Sequence, residues 1–252
     1  MTGSALFAWI ESLQQDAPFG HMLDAGTGTH SMKWLLGLET ESWTAVTGAS
    51  AHAAQVRHLV GDQMRPQDRL LVGNWTDPEL LAGERYDIVL ADYLLGAVEG
   101  FAPYFQTELF ARLRPLTGKR LYVTGVEPYV VGRPDDEAGT LVWEIGRFRD
   151  AVLTLAGEQH YREFPLEWVL VHLRRAGFEP VAARKFPIRY KARFVNGQID
   201  MCRPRLDALA DRELAAALIA RGERLRARGL AHVEAHGALR HGFDYVIAAD
   251  PA

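Results

Sequence analysis

The first half of the chain alternates short apolar segments with amphipathic ones, and this alternation constrains the fold more than any other feature. The apolar and β-branched segments predict strands at 21–24, 43–47, 69–73, 86–92 and 119–125. The segments between them predict helices at about 31–38, 50–60 and 103–113, with a short helix beginning near Thr76. Strands that alternate with helices imply crossover connections and a mostly parallel sheet.

The remaining segments extend the same pattern. Helices are predicted at about 4–15, 138–156, 165–176 and 205–229, and strands at 181–188 and 243–248. No shift in composition marks a domain boundary. The sequence therefore predicts a doubly wound α/β fold that forms a single domain over 1–252.

Charge and cysteine content exclude several classes of protein. The net charge of −4 over 252 residues gives no bulk attraction to nucleic acid or to an anionic membrane. Cys202 is the single cysteine, so an intrachain disulfide is impossible. The first apolar run stops at Glu11 and no 18 apolar residues run together, so neither a signal peptide nor a membrane span is expected. We expect a cytoplasmic protein without a membrane partner.

A glycine pair between the first predicted strand and the next helix indicates a ligand site. Asp24 ends the strand, and Gly26 and Gly28 follow it in the sequence Asp-Ala-Gly-Thr-Gly. Glycines allow a tight turn and a close approach of a ligand to the backbone. The dinucleotide fingerprint places Gly or Ala at the position that Ser31 occupies here. The alternative interpretation of this loop is a purely structural turn.

The motif LDAGTG resembles the first motif of class I S-adenosylmethionine-dependent methyltransferases, D/E-x-G-x-G. The segments 86–93, 113–123 and 173–179 resemble the family's fourth strand, its helix leading into the fifth strand, and the turn before its sixth strand. The final FDYVIAA is similar to its closing strand. The resemblance covers roughly 15–190 and 240–250 and identifies no subfamily. It implies a Rossmann-like sheet of seven strands, the last antiparallel, and S-adenosylmethionine as the cofactor.

The resemblance also implies roles for residues of the glycine loop. Gly26 and Gly28 would border the methionine part of the cofactor. Asp24 would orient the loop or contact the methionine amino group. The side chains or amides implied to lie near the methionine carboxylate are those of Thr27, His30 and Ser31.

The nucleoside side of the implied site departs from the family pattern. The family has an acidic residue at the end of its second strand that holds both ribose hydroxyls, whereas this chain has Thr47, which offers a single hydroxyl. Asn74 and Trp75 follow the third strand, where the family contacts adenine. The alternative for this pair is a turn residue beside a core tryptophan.

The catalytic candidates lie at the ends of the fourth and fifth strands. The resemblance places Asp92 and Tyr93 beside the cofactor's methyl group, and Glu127 and Tyr129 follow the fifth strand. A general base is useful when the acceptor must lose a proton. Asp92 has a structural alternative as a helix cap. The implied reaction is methyl transfer to an oxygen or nitrogen of a small molecule, and the motif of adenine and glutamine methylation is absent at 91–94.

Two alternative functions stay open: an NAD(P)-dependent oxidoreductase, and an S-adenosylmethionine-binding protein without catalysis. Segments of about 130–165 and 189–240 are predicted to form a cap and a helical insert between the last two strands. The insert's leucine-rich stretch at 205–229 would roof the cleft or join two copies, so the protein is predicted to be a monomer or a homodimer.

His232 and His236 lack a clear third ligand, so no metal is predicted. The stretch at 184–194 combines basic and aromatic residues, a pattern that can bind nucleic acid. The same alternation also fits a strand with one buried and one exposed face, and a nucleic-acid partner is not favoured.

Overall fold

The computed structural model describes residues 4–252 and has the predicted alternation of strands and helices. The first elements are α1 (Ala5–Gln14), β1 (His21–Asp24), α2 (Thr29–Leu35), β2 (Ser42–Thr47), α3 (Ser50–Val60), β3 (Arg69–Val72), β4 (Tyr86–Asp92), α4 (Leu94–Ala97), α5 (Gln106–Leu113) and β5 (Thr117–Val126). The later elements are α6 (Glu137–Leu155), α7 (Leu166–Arg175), β6 (Phe178–Tyr190), α8 (Ala192–Ala208), α9 (Arg212–His236) and β7 (Leu239–Pro251).

The strands form a seven-stranded sheet in the order β3-β2-β1-β4-β5-β7-β6. The β1–β2, β2–β3, β1–β4 and β4–β5 pairs are parallel, and the sheet is mostly parallel with one antiparallel hairpin. This confirms the predicted α/β class and strand number. Because β1 pairs with β2 on one side and β4 on the other, the strand order reverses at β1. In such sheets ligands bind at this reversal, beyond the carboxyl ends of the strands.

Alternating residues of the central strands pack into two separate cores. Leu23 and Val89 belong to one core, which includes Leu109 of α5 and Leu173 of α7. Their neighbours along the strands, such as Met22, belong to the other core, which includes side chains of α1, α2 and α3. A strand sends successive side chains to opposite faces, so the two cores cover the two faces of the sheet.

The contacts divide the chain into two compact units. The first contains residues 4–125, Tyr161–Phe186 and Tyr245–Ala252, and the second contains Val126–His160 and Pro187–Asp244. The second unit has its own core, formed by apolar side chains of α6, α8 and α9. A Cβ atom at Gly222 of α9 would lie 3.0 Å from the Phe148 ring, so a glycine there lets α9 approach α6 closely.

Two details of the predicted secondary structure are wrong. The predicted single helix at 205–229 is two helices, α8 and α9, because Leu209 is extended and the Asp211 side chain caps α9 by accepting from the Leu214 amide. The helix predicted from Thr76 is a series of turns. Leu81 there has a φ of 59°, a left-handed conformation that a right-handed helix cannot include.

None of the helices in the described part of the chain combines the length and apolar character that a membrane crossing requires.

Candidate functional site

A cleft lies beyond the carboxyl ends of the first four strands, where the strand order reverses. Its volume is about 680 Å³, part of it open to solvent. It is lined by Ala25, Gly26, Thr27, Gly28, Thr47, Gly48, His52, Gly73, Asn74, Trp75, Leu94, Ala97, Val98, Phe101 and Tyr161. All of these residues belong to the first unit. Six of the residues that the sequence indicated as ligand-binding therefore line the cleft: Gly26, Thr27, Gly28, Thr47, Asn74 and Trp75.

Hydrogen bonds hold the backbone of the glycine loop, and its last residue, Gly28, borders open space. The Ala25 amide donates to the Leu90 carbonyl, and the Thr27 amide donates to the Val46 carbonyl, each at 2.8 Å. The Ser31 hydroxyl accepts from the Gly28 amide at 3.2 Å. A Cβ atom at Gly28 would meet no atom within 4 Å, and its φ of −132° is open to any residue. Gly28 thus faces free space in the cleft without any backbone requirement for glycine.

Asp24 lies beneath this loop, fully buried, and neither of its carboxylate oxygens has a hydrogen-bond partner. Burial raises the pKa of Asp24 to about 7, and the charge of the neighbouring Asp92 adds to this rise. The nearby hydroxyls of Ser31 and Thr27 lower the pKa in part. The Thr27 hydroxyl is itself buried without a partner. Asp24 is not among the residues that line the cleft, and both of its predicted roles stay predictions.

Asn74 and Trp75 brace two different parts of the cleft. The Trp75 indole Nε1 donates to the Ala25 carbonyl oxygen at 2.8 Å. The Asn74 Nδ2 donates to the Phe101 carbonyl at 2.9 Å, and its Oδ1 accepts from the amide and the hydroxyl of Thr76. Both polar atoms of the Asn74 side chain are therefore engaged within the protein.

Phe101 is a cleft residue that the sequence did not indicate. Its ring lies against the backbone of Gly48, where a Cβ atom would be 2.8 Å from Cδ1. The ring is 39% exposed and forms part of the cleft wall. No sequence motif marks Phe101, because its position depends on the hydrogen bond from Asn74. His52, from α3, is a second cleft residue that the sequence did not indicate.

Asp92 and Tyr93 lie at the end of β4 and are both held by Thr124 of β5. The Thr124 hydroxyl donates to Asp92 Oδ1 at 2.6 Å, and the Tyr93 amide donates to the Thr124 hydroxyl at 3.0 Å. Burial raises the pKa of Asp92, although the bond from Thr124 acts in the opposite direction. Tyr93 has a φ of 48°, an uncommon conformation for an aromatic residue. Neither residue lines the cleft itself.

The other two catalytic candidates belong to the second unit. The Tyr129 hydroxyl accepts from Arg149 Nη1 at 2.6 Å, and the same guanidinium pairs with Asp150 at 2.7 Å. The Glu127 amide donates to the Phe243 carbonyl at 2.8 Å. Glu127 and Tyr129 are not among the residues that line the cleft, and their catalytic roles stay predictions.

The remaining histidine candidates have ordinary packing contacts. The exposed His30 ring stacks on Phe7 with 5.0 Å between ring centroids. The rings of His232 and His236 lie 4.4 Å apart. Within residues 4–252, no group of three or more His, Cys, Asp or Glu side chains is arranged to hold a metal ion.

No protein-family model matches the chain, and no curated protein matches its sequence. Solved structures do resemble it. A proposed methyltransferase from Bacillus halodurans is 15% identical, with a TM-score of 0.59 over 99% of this chain and 100% of that chain. A SAM-dependent methyltransferase from Geobacter sulfurreducens, in complex with S-adenosyl-L-homocysteine, is 13% identical, with a TM-score of 0.54 over 99% of this chain and 92% of that chain.

A third similar structure is the cyclase SpnF, which is 17% identical with a TM-score of 0.55 over 97% of this chain and 79% of that chain. At such identities the likeness shows the fold alone, which is the Rossmann-like fold of class I methyltransferases. The cyclase is a reminder that one fold serves several reactions, so function must be argued from the site.

Proposed function

We propose that the chain binds S-adenosylmethionine in the cleft and transfers its methyl group to an oxygen or nitrogen of a small-molecule acceptor. The observation that carries the proposal is the open position of Gly28 within an otherwise anchored loop. A loop whose backbone amides are fixed, and whose last residue, Gly28, meets nothing beyond its own backbone, leaves room for a ligand directly on the backbone.

The residues of the cleft fit this cofactor in charge as well as in space. The Thr27 hydroxyl is a buried polar group without a partner beside the loop, and a bound polar ligand could supply one. None of the described residues that line the cleft is Lys or Arg. A sulfonium and an ammonium group would therefore meet no fixed positive charge in the cleft. Ser31 stands where the dinucleotide fingerprint has Gly or Ala, which favours S-adenosylmethionine over the nicotinamide alternative.

When bound, S-adenosylmethionine supplies a methyl group activated by its sulfonium. The chain's own contribution is to align the two reactants and, for an acceptor that loses a proton, to offer a base. We propose that Gly26, Thr27, Gly28 and Thr47 border the cofactor, while Asp24, Ser31, Asn74 and Trp75 hold the loop and the wall. Asp92 and Tyr93 are the proposed groups nearest the transfer. Glu127 and Tyr129 are retained as proposed catalytic residues.

The remaining expectations from the sequence complete the proposal. The acceptor is a small molecule, the protein is cytoplasmic, and it acts as a monomer or homodimer. Segments of about 130–165 and 189–240 are the proposed cap and insert.

Binding of S-adenosylmethionine without catalysis is the second candidate, and the observation in its favour is that none of the described residues that line the cleft is Asp or Glu. Calorimetric titration of the full chain with S-adenosylmethionine, S-adenosylhomocysteine, NAD and NADP tests the cofactor. We expect the first two to bind and the nicotinamides not to bind. Release of S-adenosylhomocysteine with a panel of small amines, phenols and carboxylic acids then tests transfer. Binding of NAD or NADP alone would overturn the proposal.

A further inference from the structure

We infer that the cleft accepts S-adenosyl ligands with a modified ribose, because its Thr47 end has no side chain that binds both ribose hydroxyls at once. The Thr47 end is defined here as Thr47, Gly48, His52, Asn74 and Phe101. This inference rests on the proposed function and concerns which ligands the same cleft selects. It sets this chain apart from the family pattern that its glycine loop resembles.

A carboxylate is the side chain that can accept from two neighbouring hydroxyls at once, and its charge strengthens both bonds. Among the described residues that line the cleft, none is Asp or Glu. At the end of β2 stands Thr47, which is 4% exposed and has a single side-chain oxygen. Its carbonyl oxygen accepts from the Gly73 amide at 3.0 Å, so it contributes to the sheet.

The neighbouring positions cannot supply the missing carboxylate. At Gly48 a Cβ atom would be 2.8 Å from Phe101 Cδ1 and 3.0 Å from Cε1, so the ring occupies the space that any side chain there would need. The Asn74 Oδ1 already accepts two hydrogen bonds from Thr76. What remains at this end is the Thr47 hydroxyl and the His52 imidazole, neither of which is a carboxylate and each of which offers at most one acceptor atom of its ring or hydroxyl.

The expected selectivity follows from the strength of such bonds. A neutral hydrogen bond changes a binding constant by a factor of roughly two to ten. A charge-assisted bond is about twice as strong in free energy, so its factor is about the square of the neutral one. Removal of one ribose hydroxyl should therefore cost less than about tenfold in affinity. The aromatic wall of Phe101 and the glycine loop would supply most of the binding.

The first test needs no variant. The full chain is titrated with S-adenosylhomocysteine and with its 2′-deoxy and 3′-deoxy analogues. Analogues within about tenfold of the parent compound support the inference. A loss of tenfold or more for either analogue overturns it while leaving the proposed function intact. Absence of binding by S-adenosylhomocysteine itself would instead defeat the proposed function, and the inference with it.

The second test determines whether the ribose lies at the Thr47 end. Thr47→Asp should tighten S-adenosylhomocysteine binding and increase its preference over the deoxy analogues by about tenfold. Thr47→Val, of similar size, should lower affinity slightly and leave no preference. Circular dichroism checks that each variant is folded, and Thr47→Glu replaces Thr47→Asp if that variant does not fold. An unchanged preference in a folded acidic variant would show that the ribose does not lie at this end, and would overturn the inference.

Discussion

The indole Nε1 of Trp75 donates a hydrogen bond to the carbonyl oxygen of Ala25 at 2.8 Å, and this bond ties the turn after β3 to the glycine loop after β1. The indole is 4% exposed, so the bond is shielded from water. The residue before it, Asn74, ties the same turn to Phe101. The Asn74-Trp75 dipeptide, which follows β3, thus positions two walls of the cleft.

Trp75→Phe should destabilise the protein, because it leaves the buried Ala25 carbonyl without its donor. We expect a loss of about 1–3 kcal/mol in the free energy of unfolding, measured in urea, together with weaker S-adenosylhomocysteine binding. Trp34→Phe is the matched control: its Nε1 donates to Glu11 at the surface, where water replaces the lost bond. Equal losses in the two variants would contradict a special role for the Trp75 bond.

Asn74→Ala should weaken cofactor binding by releasing Phe101 rather than by removing a ligand contact. A double-mutant cycle with Phe101→Ala measures this. If Asn74 acts through Phe101, the double variant should bind S-adenosylhomocysteine no more weakly than Phe101→Ala alone. Additive losses would show instead that Asn74 contacts the ligand itself, as the family resemblance implies.

Asp24 should make the stability of the protein fall as pH rises. Its pKa is raised by burial from 3.8 to about 7, so the folded state holds a proton that the unfolded chain has lost. This stabilisation is fully present below about pH 4 and is lost progressively as pH rises through about 7, by up to about 4 kcal/mol. Asp24→Asn, which cannot ionise, should remove that slope.

The measurement is urea unfolding of both proteins at several pH values between 4 and 8. Asp87→Asn is a useful contrast, because the pKa of Asp87 is lowered through its bonds to the His21 amide and Lys119. Asp87→Asn should instead lower the free energy of unfolding at pH values above the acid range. A wild-type slope that persists in Asp24→Asn would show that Asp24 is not the group responsible.

The sequence predicted the central sheet well because each strand carries its own signal. β4 was predicted at 86–92 and is observed there, since its central residues are apolar and buried on both faces. The break between α8 and α9 was missed because amphipathic spacing continues across it, while the Asp211 cap that creates it is a local detail. The helix expected after Thr76 fails at the left-handed Leu81, which no residue preference foretells.

The candidate site was predictable only where a motif follows a strand. Gly26, Gly28 and Thr47 were found in this way, and the structure places all three in the cleft. Phe101 was missed because its position depends on a hydrogen bond from Asn74, 27 positions earlier in the chain. Such contacts depend on the assembled sheet, and a single sequence carries no period or spacing that reports them.

The central claim is that the open space at Gly28 is the cofactor site, and titration of a Gly28→Val variant with S-adenosylhomocysteine tests it most directly. The new side chain would meet no protein atom within 4 Å at its Cβ, so the fold should persist. Gly132→Val is the control, since a Cβ atom there also meets nothing within 4 Å and Gly132 does not line the cleft. We predict that Gly28→Val stays folded and loses binding while Gly132→Val binds like the wild type; normal binding by a folded Gly28→Val protein would contradict the claim.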